Sequence, residues 1–339
     1  MVRQISFKYE LLDKSNTFKK WLYCVSTCTI QWQSLTQLKS NANITMRKDN
    51  DVDYANDRVR IHRVENGVEK VLGTFLLCST GDAFNERNVT EKECECYSLL
   101  QILLDMKVEQ TYQVVAGVNA VNEVIRLIGT TNTCNIKASD KVLLSNKTYQ
   151  AGTSYLDMIN DLLDTINYTP LYTDEMGMYI SKPYVLPQDR TIDFTWLCDI
   201  NGLISRNRTK SLDMFNVPNV FVCTTNDINI DPPLSYTYVN DNPSSLTSTV
   251  SRNRRITKVE TVDTTSIDDL VLKAKSLCVE ANSMFEHLEF STGFKNNIEF
   301  YLPCGWIIDA KYIIYNISYK CAIGEDMKVK ARKAVELLG

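Results

Sequence analysis

The segment ISFKYELL sends Ile5, Phe7, Tyr9 and Leu11 to one side of an extended chain and Ser6, Lys8 and Glu10 to the other. A two-residue period of this kind fits a half-buried strand and cannot fit a helix, whose faces repeat every 3.6 residues. TCTIQWQ repeats the pattern, with Cys28, Ile30 and Trp32 opposite Thr29, Gln31 and Gln33, and NITMRKD continues it less cleanly. DRVRIHRV and VEKVLGTFLLCS flank Glu65-Asn66-Gly67, and Asn-Gly between alternating runs is a strong hairpin signal. VTEKECEC puts Glu91, Glu93 and Glu95 on one face and Cys94 and Cys96 on the other. Short antiparallel strands at this spacing predict a barrel or sandwich.

At Tyr97 the period changes. YSLLQILLDM reads as a short apolar helix, and VNAVNEVIRLIG as a second that Gly129 is placed to end. The stretch QAGTSYLDMINDLLDTINYTPLYTDEMGMYISKPYV supplies a third helix over Ser154–Asn167, with Ser154 as N-cap and a stripe of Ile159, Leu162, Leu163 and Ile166. Two strands follow, joined by Asp174-Glu175-Met176-Gly177, where Gly177 supplies the positive φ of a tight turn. Strand character returns in TIDFTWLCDI and NVPNVFVCTT. Asn226–Arg255 reads as loop with one short strand at Leu234–Val239. A helix is predicted over Ile267–His287, with Leu270, Ala274, Leu277, Cys278 and Ala281 on one face. Strands then follow in NIEFYLP, IIDAKYIIYNISYKCAI and MKVKARKAV.

The chain has 339 residues, beyond the roughly 250–300 at which one core stops growing, so two or more structural units are expected. They divide as a first β unit (1–96), an α/β insertion (97–190), a second, discontinuous β unit (191–255 with 296–339) and a helix-and-strand insertion (256–295). The net charge of −4 offers none of the basic surface that tight nucleic-acid binding needs. The basic clusters Arg58-Arg60-Arg63 and Arg252-Arg254-Arg255 read as solvated strand and loop positions. The start lacks an apolar stretch of signal-peptide length, so export by that route is not expected and reduced thiols are. No stretch approaches the ~20 apolar residues of a membrane span.

Chemistry is hard to find. Phosphate-cradling glycine motifs, H-E-x-x-H and G-x-S-x-G are absent, and His62 and His287 are isolated. Cys94 and Cys96 lack a second Cys/His pair for a zinc site and read as buried thiols on one strand face. Asp157, Asp161 and Asp164 recur at i, i+4 and i+7, on the face opposite the apolar stripe. A carboxyl acting as a general acid must be buried to raise its pKa, and these sit on the wet side of a helix. No catalytic, cofactor-binding or metal-ligating residue is assigned, and no cofactor is implied.

The order and wording of several segments resemble the central hub of phage tail tips and baseplates, the family that includes siphophage tail-associated ("Tal"-like) hubs and contractile-tail baseplate hubs. The resemblance is carried by RQISFKYELLD, GTFLLCST, YQVVAGVNAVNEVIRLIG, the helix–hairpin passage ending in KPYVLPQDR, and MFNVPNVFV. It implies a β-rich α+β fold of two barrel-like tube domains with α/β insertions. It also implies a trimeric ring whose six barrels mate with the hexameric distal tail protein or tube and whose other side holds a spike, fibre or tip protein. The lumen would pass tape-measure protein and then DNA, without specific DNA binding. The resemblance places the protein in the virion, assembled in the host cytoplasm. Longer relatives continue into peptidase, lysozyme-like or fibre-like extensions. This chain ends at ARKAVELLG, so no wall-degrading activity is carried over. A tail-associated cell-wall hydrolase and a host-receptor-binding tail protein are the alternatives.

Overall fold

The computed structural model describes residues 4–84, 90–130, 132–197, 204–212, 215, 217–225, 231–283, 286–295 and 301–334. The first alternating segments form seven strands: β1 (Ile5–Leu12), β2 (Phe18–Trp21), β3 (Val25–Gln33), β4 (Ser40–Arg47), β5 (Arg58–Glu65), β6 (Val68–Phe84) and β7 (Thr90–Ser98). Next come α1 (Leu100–Asp105), β8 (Tyr112–Val114), α2 (Ala120–Ile128), β9 (Cys134–Ile136), β10 (Lys147–Tyr149), α3 (Tyr155–Thr165), β11 (Tyr172–Thr173) and β12 (Tyr179–Ser181). The remainder comprises β13 (Phe194–Trp196), β14 (Ile204–Leu212), β15 (Val220–Thr225), β16 (Ser235–Val239), α4 (Thr249–Arg252), β17 (Thr257–Val262) and α5 (Ile267–Ser283). It ends with β18 (Glu286–Thr292), β19 (Cys304–Ile307), β20 (Ala310–Lys320) and β21 (Met327–Lys333).

One large sheet gathers strands from both ends of the sequence, in the order β14-β18-β21-β20-β3-β4-β7-β6-β5-β1-β2, with β19 on β20 and β13 on β19. The seam between the two sets of strands is the antiparallel β20–β3 pair, running from Asn316↔Gln33 to Lys320↔Thr29. The sheet curls until distant strands share one core: Phe7 of β1 packs on Tyr319 of β20, and Phe294 packs on the same ring. Leu11, Ile30, Ile44, Ile61, Ile317 and Val329 meet there, all nearly inaccessible. The β-rich class with helical insertions is therefore as expected. The barrel-like units are open, because among the described residues β2 and β14 end the path without pairing to each other.

The helices form on the signals read from the sequence. Ser154 Oγ accepts the Asp157 backbone N–H at 3.1 Å and donates to the Asp157 carboxylate at 2.6 Å, capping α3 at both groups. Gly129 ends α2 with φ +84°. The apolar faces of α1–α3 make a second core around Val124, Leu156, Ile159, Leu162 and Leu163. A third, smaller core forms where Leu270, Ala274 and Cys278 of α5 pack on Phe221 and Cys223 of β15.

Three readings change. The helix predicted to run to His287 ends at Ser283, and His287 lies in β18. From Glu286 onward burial alternates through Leu288, Phe290 and Thr292, because β18 is held between β14 and β21. IIDAKYIIYNISYKCAI is not one strand: Ile307 closes β19, the chain turns at Ile308 with φ +61°, and β20 begins at Ala310. The Asn-rich loop holds α4 and a buried polar knot. Asn219, wholly inaccessible, donates to the Thr247 and Arg254 carbonyls at 3.2 and 3.0 Å and accepts the Ile256 N–H at 2.8 Å. The strand expected over NIEFYLP falls largely on 296–300, outside the described residues.

Candidate functional site

The three helix aspartates do share the outer face of α3, but each reaches a different part of the molecule. Asp157 accepts from Gln37 Nε2 in the β3–β4 connection at 3.0 Å. Asp161 takes Lys147 Nζ at 2.9 Å and the Tyr149 hydroxyl at 2.7 Å, both from β10. Asp164 takes Lys273 Nζ of α5 at 2.6 Å. They diverge and pin α3 to three neighbours, which is the opposite of convergence on one reacting atom. The next two acids serve a turn. The Asp174 carboxylate accepts the N–H groups of Met176 and Met178 at 3.0 and 2.7 Å, while burial pushes its pKa upward. The Glu175 carbonyl accepts from Thr74 Oγ1 at 2.9 Å, which seats the β11–β12 turn on β6.

The first basic cluster is not solvated. Arg63 is 1% exposed, lies 4.5 Å over the Phe294 ring and donates to Glu65 at 2.6 Å. Arg58 is buried and donates to Asn16 Oδ1 at 2.6 Å. Arg60 reaches the Glu10 carboxylate at 3.2 Å and Thr74 Oγ1 at 3.0 Å. An arginine can take such places because its long apolar stem packs while its fork finds acceptors. Of the second cluster, Arg254 and Arg255 are exposed, and Arg252 donates to the Val217 carbonyl at 3.0 Å.

Among the described residues neither histidine hydrogen-bonds a serine, threonine or cysteine. His62 sits between two carboxylates, Nε2 3.1 Å from Glu10 and Nδ1 2.6 Å from Glu69, and His287 Nδ1 is 3.2 Å from the Tyr315 hydroxyl. Cys94 and Cys96 are buried in the main core, and burial pushes the Cys94 thiol up to about 11 and Cys96 well above its usual value. Thiols held protonated in this way are poor nucleophiles and poor metal ligands. All described cysteines are free. Among the described residues no three His, Cys, Asp or Glu side chains gather to hold a metal ion, and no helix is long and apolar enough to cross a membrane.

A broad polar surface covers the outer face of the main sheet around the seam. Cross-strand pairing aligns Ser318, Gln31 and Asn41 in one row, Lys320, Thr29, Asn43 and Glu95 in a second, and Thr27, Thr45 and Glu93 in a third. The opposite face of the same strands carries Ile317, Ile30, Ala42, Ile44 and Cys96 into the core. The result is a broad wall of amides and hydroxyls whose β7 margin is acidic and whose β20–β21 margin carries Lys320 and Lys328. The alternation in TCTIQWQ and VTEKECEC foreshadowed each row, but only the register brings the rows side by side.

No family model matches this chain, and no curated protein matches it in sequence. Solved structures do match it in fold. A tail protein from Neisseria meningitidis MC58 superposes with a TM-score of 0.68 at 11% identity, over 98% of this chain and 97% of that one. The 43 kDa tail protein of prophage MuSo2 from Shewanella oneidensis gives 0.66 at 7% identity, over 97% and 98%. Prophage tail protein gp18 from Listeria monocytogenes EGD-e gives 0.58 at 11% identity, over 96% and 94%. At such identities the likeness is one of fold, and the fold is that of phage tail proteins, as the sequence resemblance implied.

Proposed function

We propose that this protein is the structural hub of a phage tail tip or baseplate. The observation that carries the reading is the fold likeness to three tail proteins across nearly the whole length of both chains. In this reading residues 1–96 and the strands β13, β14 and β18–β21 are two related tube units, joined at the β3–β20 seam, with β15–β17 and α5 inserted in the second, and three chains close a ring of six such units. A closed ring needs equivalent patches at every contact, and paired units in a trimer meet that need toward a hexameric distal tail protein or tube. The opposite side holds a spike, fibre or tip protein, and the protein resides in the virion.

The wall of Gln31, Asn41, Asn43, Thr29 and Thr45 is assigned to the channel. Amides and hydroxyls carry no net charge to hold phosphates, Glu93 and Glu95 repel them, and Lys320 on the other margin is paired with Glu325, so DNA and tape-measure protein pass without being tightly gripped. The reading assigns the protein no catalytic step.

Mass measurement in solution with two-dimensional particle averages tests the assembly. A threefold ring of three times 38.7 kDa is the expected result, formed alone or on addition of the distal tail or tube ring. A chain that stays monomeric with both partners present would overturn the proposal. Replacing Glu91, Glu93 and Glu95 by Gln together should slow DNA ejection, and unchanged ejection would remove the acidic margin from the channel. Reproducible peptidoglycan cleavage by the purified chain, lost on substitution of Asp157, Asp161 or Asp164, would replace the structural reading by a hydrolase.

A further inference from the structure

Between α3, α5 and the β20–β21 strands lies a cavity of about 700 Å3, within the usual size range of small-molecule sites. Its lining gathers several cations, one of them with a buried donor that lacks an acceptor. Arg332 of β21 is only 8% exposed, its Nε has no hydrogen-bond partner, and its guanidinium makes no ion pair among the described residues. Arg190 lies 5.4 Å over the Tyr184 ring and donates only to the Val185 and Leu302 carbonyls, at 2.8 and 3.3 Å. Lys39 Nζ donates to the Ser34 carbonyl at 2.9 Å and stands 5.8 Å from the Tyr301 ring centroid. Tyr301 is itself stacked on Tyr172 at 4.2 Å, so its ring is fixed, and neither it nor Tyr184 has a hydroxyl partner among the described residues. Of the two acids lining the cavity, Glu280 acts on Arg332 electrostatically and is exposed, and Asp164 is paired with Lys273.

A buried guanidinium left without an acceptor costs stability, and three cations facing two free phenols compound that cost. One occupant removes all of it. We infer that this cavity binds a small multivalent anion, of the polycarboxylate or phosphate class, held by Arg332, Arg190 and Lys39 with the Tyr184 and Tyr301 hydroxyls as neutral donors. Forked guanidiniums suit planar carboxylates and tetrahedral phosphates alike. The aromatic walls and the volume favour an organic anion over a bare oxyanion. Burial holds both phenols protonated, Tyr184 up to about 12, so they donate rather than repel. The inference rests on this geometry and not on the assembly proposed above.

The test is calorimetric titration of the full chain with citrate and with pyrophosphate, alongside thermal unfolding in sodium chloride of matched ionic strength. Saturable binding and a raised midpoint with at least one probe are expected, and the stronger probe separates carboxylate from phosphate. Arg332→Met should weaken that binding by about tenfold or more while leaving the ligand-free midpoint unchanged or higher, because it removes a buried charge without a partner. Tyr301→Phe keeps the stack on Tyr172 and should weaken binding by a smaller factor. Absence of saturable binding to both probes would overturn the inference. So would a binding constant untouched by both substitutions, or a lowered ligand-free midpoint in Arg332→Met, which would mean the protein's own carboxylate already holds Arg332.

Discussion

The β11–β12 turn offers a measurement in which the conformational and steric roles of one glycine separate. Gly177 has φ +87°, and a Cβ there would stand 2.6 Å from Leu99 Cδ1, and 3.5 Å from Leu99 Cγ and from Thr74 Cβ. Carbon atoms prefer about 3.5–4.0 Å, so the overlap with Cδ1 is about 1 Å. Leu99 is 2% exposed and cannot simply swing away. Placing alanine at a left-handed position costs about 1–2 kcal/mol, and overpacking a filled site adds about 1–3 kcal/mol. Gly177→Ala should therefore destabilise by about 2–5 kcal/mol. Gly67 is the control, with φ +83° and nothing within 4 Å of its would-be Cβ, so Gly67→Ala should show only the conformational part. Leu99→Ala removes the clashing methyl, so the double variant with Gly177→Ala should be less destabilised than the sum by about 1–3 kcal/mol. Urea unfolding followed by tryptophan fluorescence reads all four proteins. Equal losses for Gly67→Ala and Gly177→Ala, or strict additivity with Leu99→Ala, would refute the steric account of how this turn seats on β6.

Three further outcomes follow from buried and paired charges. Burial drops the Lys39 pKa from 10.5 to about 8, so between those values the unfolded chain binds more protons and stability should climb with pH. Lys39→Met should raise stability near pH 7 by at most about 3 kcal/mol and flatten the climb, read by urea unfolding at about pH 7 and about pH 10. Arg63→Ala should cost about 3–5 kcal/mol by removing a buried side chain that packs on Phe294 and pairs with Glu65, whereas Arg254→Ala and Arg255→Ala should stay within about 0.5 kcal/mol in the same assay. The Asp164–Lys273 pair joins a carboxylate 65% exposed to an ammonium 14% exposed. A double-mutant cycle on it should give no more than about 1 kcal/mol, shrinking in high salt.

What could be read from the sequence was whatever a short window contains. The alternation in ISFKYELL and TCTIQWQ sufficed for β1 and β3, Asn66-Gly67 for the β5–β6 hairpin, and Ser154 with Asp157 for the start of α3. β14 stayed hidden because SRNRTKS carries no alternating apolar residues, and its strand state comes from pairing with β18. Glu286 and His287 at the start of β18 were absorbed into a helix because two residues are too few to show a period, and only the pairing with β14 and β21 decides. The buried cluster of Arg58, Arg60 and Arg63 looked like a wet edge for the same reason: Glu10, Phe294 and Asn16 come from far along the chain. The anion cavity draws on Lys39, Arg190, Tyr301 and Arg332, so no local pattern could announce it.

The seam also sets a timetable. β3 pairs with β4 at once, but its other edge waits for β20, nearly three hundred residues later, and until then the front half of the core lacks the side chains of β18, β20 and β21 that complete it. Loop closure over such a distance is slow, and bare strand edges attract other chains. On the ribosome the emerging front half must wait, shielded or swollen, while the helical insertion between residues 100 and 181 can already settle around its own core. Expression yield should therefore respond to chaperone supply and to lowered temperature far more than to changes on the finished surface.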